Sequence, residues 1–290
     1  MSDAAASRLQ FPQRLGLGTW MMGESRAAHA KEVGALVHAL QLGYRVFDTA
    51  EIYAQGGAER VLGEALADFG VGSAKSTARG ELFIVSKVKP SHATREGTVR
   101  ACEASLDRLR CRYLDLYLLH WPGQHSSTET LQGFAALVER GLIRHFGVSN
   151  FGLGELQEWR EAERSLGLAG ATQCNQLYYC LQTRGIEFDL LPWQRGQGIQ
   201  TMAYSPLGRG RLSRHPVLER LAKARGMSAA QIAIAWSMRA PDLISIPKSS
   251  HPGRIEENWQ ARTLTLSDEE CAALDAAFPP PTAATPLVTA

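Results

Sequence analysis

Short apolar runs alternate with longer amphipathic segments along nearly the whole chain, and no other feature restricts its fold so strongly. The runs cover eight stretches, residues 15–18, 46–49, 82–87, 114–120, 143–149, 172–176, 200–204 and 243–246. Strands that alternate with helices build a parallel sheet, and eight such units close into an α/β (β/α)8 barrel of the TIM type. The intervening segments carry helical periodicity. Val33, Leu36, Val37 and Leu40 fall at i, i+3, i+4 and i+7, and Leu131, Phe134 and Val138 recur in the same way. Ser228 with Gln231, and Ser267 with Glu270, match the capping box that satisfies free amides at a helix start, and Pro241 closes the helix through Met238.

With 290 residues and 44% hydrophobic content, the chain can bury the single core that a barrel of about 250 residues requires. We therefore expect one domain over residues 1–290, with a short lead-in and a tail from about 279. The tail begins Pro279-Pro280-Pro281 and reads as extended and mobile, and residues 70–80 read as the flexible stretch inside the body. A net charge of +2, with Lys and Arg dispersed among acids, leaves no electrostatic footprint for nucleic acid or an anionic membrane. Five cysteines without CxxC spacing point to reduced thiols in a cytoplasmic setting, and Cys102 lies on a helical face between Val99 and Leu106, as a core residue does. The amino terminus lacks a basic start followed by an apolar stretch, and no run of about 18 apolar residues occurs. A soluble cytoplasmic protein with a small-molecule partner, and with neither a nucleic acid nor a membrane, is the expectation.

Barrels carry their reacting groups at the carboxyl ends of strands, whereas an open doubly wound sheet binds a dinucleotide at a glycine-rich first turn. Gly16-Leu17-Gly18-Thr19-Trp20-Met21 lacks the third glycine of that turn. Three runs instead end in chemistry: Asp48, Lys87 and His120, with Tyr53 five residues after Asp48. Reduction of a carbonyl needs a general acid within reach of the nascent alkoxide. Tyr53 is the candidate, because an ammonium at Lys87 lowers a phenol's pKa from its usual value near 10. Asp48 can hold that ammonium charged, and His120 supplies a second donor to the carbonyl through either ring nitrogen.

Each of the four has an ordinary reading alone: a strand-end cap, a loop tyrosine, a solvated lysine, a core histidine. Their joint arrival at strand ends is what marks a site. No HExxH or His pair at metal spacing occurs, so no metal is expected. No GxSxG elbow occurs either, since Ser149 is followed by Asn150. A barrel isomerase forming a Schiff base at Lys87 remains a competing reading.

The order and spacing of Asp48, Tyr53, Lys87 and His120 resemble the catalytic tetrad of the aldo-keto reductases, and the resemblance spans about residues 15–277. It implies carbonyl reduction with NADP(H), with Tyr53 as proton donor. It further implies that Ser149, Asn150 and Gln176 bind the nicotinamide carboxamide, that Tyr204 stacks on its ring, and that Ser205 and Leu207 contribute to the cofactor site. Lys248, Ser249 and Arg254 match the clamp on the adenosine 2′-phosphate, and Glu257 and Asn258 match the adenine contacts. Ser250 and His251 depart from the family's usual residues there.

Trp20 and Trp121 follow the first and fourth strands and are expected at the substrate mouth. The loop over 208–216 contains Arg209, Arg211 and Arg214, and reads as a solvated basic loop or as a cover over the pyrophosphate. Residues 8–13 are expected to form the short hairpin that closes the barrel floor in the family. The runs Asp48-Thr49-Ala50-Glu51-Ile52-Tyr53 and Gly185-Ile186-Glu187-Phe188-Asp189 look most like a bacterial branch that includes methylglyoxal reductases. We expect a monomer that reduces small aldehydes or 2-oxoaldehydes. A sugar or keto-acid reductase of the same family, or a noncatalytic cofactor-binding regulatory subunit, are the alternatives.

Overall fold

The computed structural model describes residues 8–71 and 78–289. Its strands are β1 (Leu17–Gly18), β2 (Val46–Asp48), β3 (Phe83–Val88), β4 (Leu114–Leu119), β5 (Ile143–Ser149), β6 (Thr172–Tyr178), β7 (Gln200–Tyr204) and β8 (Leu243–Ile246). They pair in chain order, all parallel. Parallel bridges Leu15–Ser245 and Gly18–Lys248 join the first unit to the last, so the sheet closes into the expected (β/α)8 barrel. The helices between strands are α1 (His29–Leu42), α2 (Gly57–Asp68), α3 (Arg95–Leu109), α4 (Ser127–Glu139), α5 (Leu153–Ser165) and α6 (Leu190–Gly196). The pair α7 (Pro216–Arg225) and α8 (Ala229–Ser237) precedes β8, and α9 (Pro252–Gln260) and α10 (Asp268–Ala277) follow it.

Parallel strands are covered on both faces, which is why β3 is buried at every residue, including Ser86 and Lys87. Side chains alternate along a strand, so each strand contributes one row to the barrel interior and one to the helix layer. The interior holds Val46, Phe83, Val85, Leu116, Leu118, Cys174, Met202, Ile244 and Ile246. Gly147 belongs to this row because a Cβ there would meet the interior Leu118 side chain at 2.9 Å. Both capping boxes form, at Ser228–Gln231 and Ser267–Glu270.

Three expectations are revised or fall outside what is described. Residues 8–13 form no hairpin. The segment makes a single extended pass instead: Leu9 is buried among the interior residues, its amide donates to Gln173 Oε1, and its carbonyl accepts from Gln200 Nε2 at 2.7 Å. One buried leucine held from both sides closes the floor without a second strand. On α4 the inward face is Leu131, Phe134 and Leu137, while Val138 is exposed, because i+6 from Leu131 lies nearer the core side than i+7 here. The flexible stretch expected over 70–80 falls mostly on residues 72–77, outside the described residues.

The tail after Phe278 has no helix or strand. It turns back over the top of the barrel, where Thr285–Val288 line a cavity with Leu153, Tyr178, Ile186 and Leu190, and Leu287 packs on the core. No helix among the described residues is long and apolar enough to cross a membrane.

Candidate active site

The inward rows continue past the apolar layers, two residues at a time, into polar groups. After Val46 comes Asp48, after Val85 comes Lys87, after Leu118 comes His120, after Cys174 comes Gln176, and after Met202 comes Tyr204. The alternation that packs the barrel thus delivers these side chains to its carboxyl-terminal mouth.

Lys87 is fully buried and makes three contacts through Nζ: Asp48 Oδ2 at 2.8 Å, the Thr49 carbonyl at 2.8 Å and Tyr53 Oη at 3.2 Å. All three ammonium donors are therefore used. Burial pulls the lysine pKa down, but the Asp48 carboxylate and the Tyr53 phenol more than offset it, so the amine stands above its ordinary value and stays charged. Burial raises the Tyr53 pKa, Lys87 opposes that, and Asp48 adds to it, which leaves the phenol above its ordinary value and protonated at neutral pH. The lysine acts in the expected direction without winning outright. His120 is held well below the usual imidazole range, first by burial and then by Lys87. A neutral ring keeps one N–H. Its ring meets that of Tyr53 edge-on at 5.6 Å.

The expected nicotinamide residues also gather here. Ser149 Oγ donates to the Gln176 carbonyl at 3.0 Å, and Asn150 Nδ2 donates to the His120 carbonyl at 3.1 Å. Tyr204 Oη donates to Asn150 Oδ1 at 2.8 Å, with its ring stacked on Tyr178 at 5.5 Å. Gln176 Nε2 donates to Asp48 Oδ1 at 2.7 Å, so Asp48 is shared between Lys87 and Gln176. A carboxylate has no proton to give, which settles which end of the amide faces it. Sequence reasoning missed this link; the step of two from buried Cys174 was the available signal.

Asn150, Ser205 and Arg209 all take left-handed backbone, and Leu207 precedes Gly208 at the same turn. Arg209 lies over the Trp20 ring at 5.2 Å, bridging the loops after β7 and β1, so this loop is not simply solvated. Arg211 donates to Tyr178 Oη at 3.3 Å. Trp20 and Trp121 are both exposed at the mouth, 42% and 41%, and Trp121 packs 4.9 Å from His120.

At the far end, Lys248 and Arg254 are exposed and make no ion pair among the described residues. Lys248 lies in the loop before α9 and Arg254 in its first turn, where free amides and the helix dipole favour an anion. Ser249 and Asn258 are buried there and Glu257 is half-buried, while Ser249 Oγ accepts from the His251 amide at 3.1 Å. Unpaired cations at a helix start fit a phosphate. No group of three or more His, Cys, Asp or Glu able to hold a metal occurs among the described residues.

Comparison with known proteins gives the family. The model of the aldo/keto reductase family matches residues 14–278. Methylglyoxal reductase YeaE of Escherichia coli is 42% identical, over 94% of this chain and 93% of that protein. Glyoxal reductase of Bacillus subtilis is 37% identical, over 82% and 80%. An aldo-keto reductase from Klebsiella pneumoniae in complex with NADPH superposes with a TM-score of 0.87 at 41% identity, covering 96% of this chain and 95% of that one. The chain belongs to the aldo/keto reductase family, and with it to the NADP(H)-dependent oxidoreductases that act on carbonyl groups.

Proposed function

We propose that the protein reduces small aldehydes, 2-oxoaldehydes such as methylglyoxal among them, with Tyr53 as the proton donor. The observation that carries this reading is the buried chain Asp48–Lys87–Tyr53, with contacts of 2.8 and 3.2 Å, which opens at the barrel mouth beside His120. Bound NADPH supplies the hydride. The protein holds the carbonyl oxygen between the Tyr53 hydroxyl and the His120 N–H, and Tyr53 gives that oxygen its proton as negative charge develops. Lys87, kept charged by Asp48, stabilises the phenolate that remains. Neutral His120 can donate without carrying a charge that competes with Lys87.

Ser149, Asn150 and Gln176 would hold the carboxamide of the nicotinamide, with Tyr204, Ser205 and Leu207 beside it. Lys248, Ser249 and Arg254 would hold the 2′-phosphate, and Glu257 and Asn258 the adenine. Trp20 and Trp121 offer apolar walls to the substrate. The relatives named for methylglyoxal and glyoxal support a small, oxygen-rich aldehyde over a sugar or a keto acid.

A Schiff base at Lys87 requires a neutral amine, and the pairing with Asp48 works against one. A noncatalytic regulatory role has no need of an intact donor chain. We also propose a cytoplasmic monomer: the described cysteines are all free, and the sheet closes on itself and leaves no edge for a second copy to extend. A panel of methylglyoxal, glyoxal, aliphatic aldehydes, aldoses and keto acids, scored by NADPH consumption, tests the substrate class. Best kcat/KM on the 2-oxoaldehydes is expected, and a clear preference for aldoses or keto acids would replace this reading by the other.

A further inference from the structure

Two carboxylates outside the reacting chain hold neighbours of Tyr53 and Lys87 rather than those side chains themselves. Glu51 precedes Tyr53 by two residues and Glu59 follows it by six. Glu51 Oε1 accepts the Lys89 amide N–H at 2.7 Å, and its Oε2 lies 3.1 Å from His92 Nδ1. Glu59 is fully buried; its Oε1 accepts from Ser86 Oγ at 2.6 Å and its Oε2 from Arg108 Nε at 2.6 Å. The acids thus bracket Tyr53 in the chain, and their partners Ser86 and Lys89 bracket Lys87 at the end of β3.

What lies between the acids does not hold itself in place. Ala54, Gln55 and Gly56 are left-handed in succession, with φ of 50°, 51° and 81°. Residues bearing a Cβ adopt that conformation only when their surroundings impose it. Arg108 packs against the turn so closely that a Cβ on Gly56 would meet its Cδ at 2.5 Å. A buried carboxylate is costly unless it is paired and hydrogen-bonded, and Glu59 is both. Local preference explains neither the turn nor the buried acid, whereas a requirement to fix the turn against β3 explains both.

We propose that Glu51 and Glu59 form a two-point clamp, tying the turn that carries Tyr53 to the residues on either side of Lys87, and that both are positioning residues for proton transfer. The clamp sets the approach of the Tyr53 hydroxyl to the Lys87 ammonium. This rests on the proposed role of Tyr53 as donor.

The test uses the full-length enzyme with NADPH and methylglyoxal, and compares Ser86→Ala, Glu51→Ala, Glu51→Gln and Tyr53→Phe. Glu59→Ala would strand Arg108, so Ser86→Ala, which spares that pair, carries the test for Glu59. Ser86→Ala and Glu51→Ala should each lower kcat by about tenfold, within the loss that misplacement of a reacting group by about an ångström brings. Their NADPH dissociation constants, read by protein fluorescence, should stay at the wild-type value. Glu51→Gln keeps an oxygen for the Lys89 amide and should recover most of the rate.

Tyr53 is faced by Lys87 from β3, by Asp48 from β2 and by His120 after β4, and of these Lys87 lowers its pKa. Loosening the clamp should therefore move the alkaline limb of kcat/KM to higher pH. A purely structural role would lower the melting temperature and leave that limb in place. Wild-type kcat and an unmoved limb in both Ser86→Ala and Glu51→Ala overturn the clamp. Undiminished turnover in Tyr53→Phe overturns the donor assignment beneath it, so the two failures are distinguishable.

Discussion

Lys87 shows what a single buried charge needs in order to persist. Removal from water costs an ammonium several kcal/mol, and it persists here because Asp48, Tyr53 and the Thr49 carbonyl take all three of its donors. Burial keeps Tyr53 a protonated acid at neutral pH, and the Lys87 ammonium opposes part of that rise. Tyr53→Phe should cut turnover by at least about 10²-fold, the range for loss of a general acid, with NADPH binding intact by fluorescence titration. Near-normal turnover would remove Tyr53 from the mechanism. The sign of the pH dependence follows from the raised phenol: the donor form is present below its pKa and lost above it, so kcat/KM for reduction should hold through neutral pH and fall only in the alkaline range. Asp48, Lys87 and His120 were legible as strand-end groups. The sharing of Asp48 with Gln176 was not, because the two lie 128 residues apart.

At the scale of elements, each strand builds floor, core and site with one alternating row, and each following loop supplies what the strand cannot. The turn after β2 carries Tyr53, the turn after β5 presents Asn150 in left-handed backbone, and the loop after β8 delivers Lys248 to the start of α9. That last arrangement predicts cofactor choice, since the 2′-phosphate alone distinguishes NADPH from NADH. A hydrogen bond to a charged group contributes about 1.5–3 kcal/mol, so Arg254→Ala should weaken NADPH by about tenfold or more and leave NADH almost unchanged. Dissociation constants for both cofactors at one low ionic strength decide it, and equal losses would make Arg254 structural. Strand positions were readable from apolar runs within a residue or two. The floor hairpin expected over 8–13 did not form, because one extended segment with Leu9 buried already satisfies the bottom of the barrel.

The whole molecule is a closed sheet whose two ends need different seals. At the floor Leu9 fills the interior beneath Phe83 and Val85. Leu9→Ala should cost about 2–5 kcal/mol, as buried leucine truncations do, seen as a lower urea midpoint with unchanged slope. Because the mouth lies at the opposite end, kcat should survive; a matching loss of kcat at temperatures where the variant is folded would show that floor and mouth are coupled. Fold class, unit order and the polar groups at the strand ends were contained in the sequence, because periods of two and 3.6 are local patterns that any stretch displays by itself. Only the tertiary structure decided that Gln176 reaches Asp48, that Arg209 crosses to Trp20, that Glu59 is buried against Ser86, and that the phenol comes 3.2 Å from the lysine. These are contacts between separate βα units, set by how the barrel closes, and no local period encodes them.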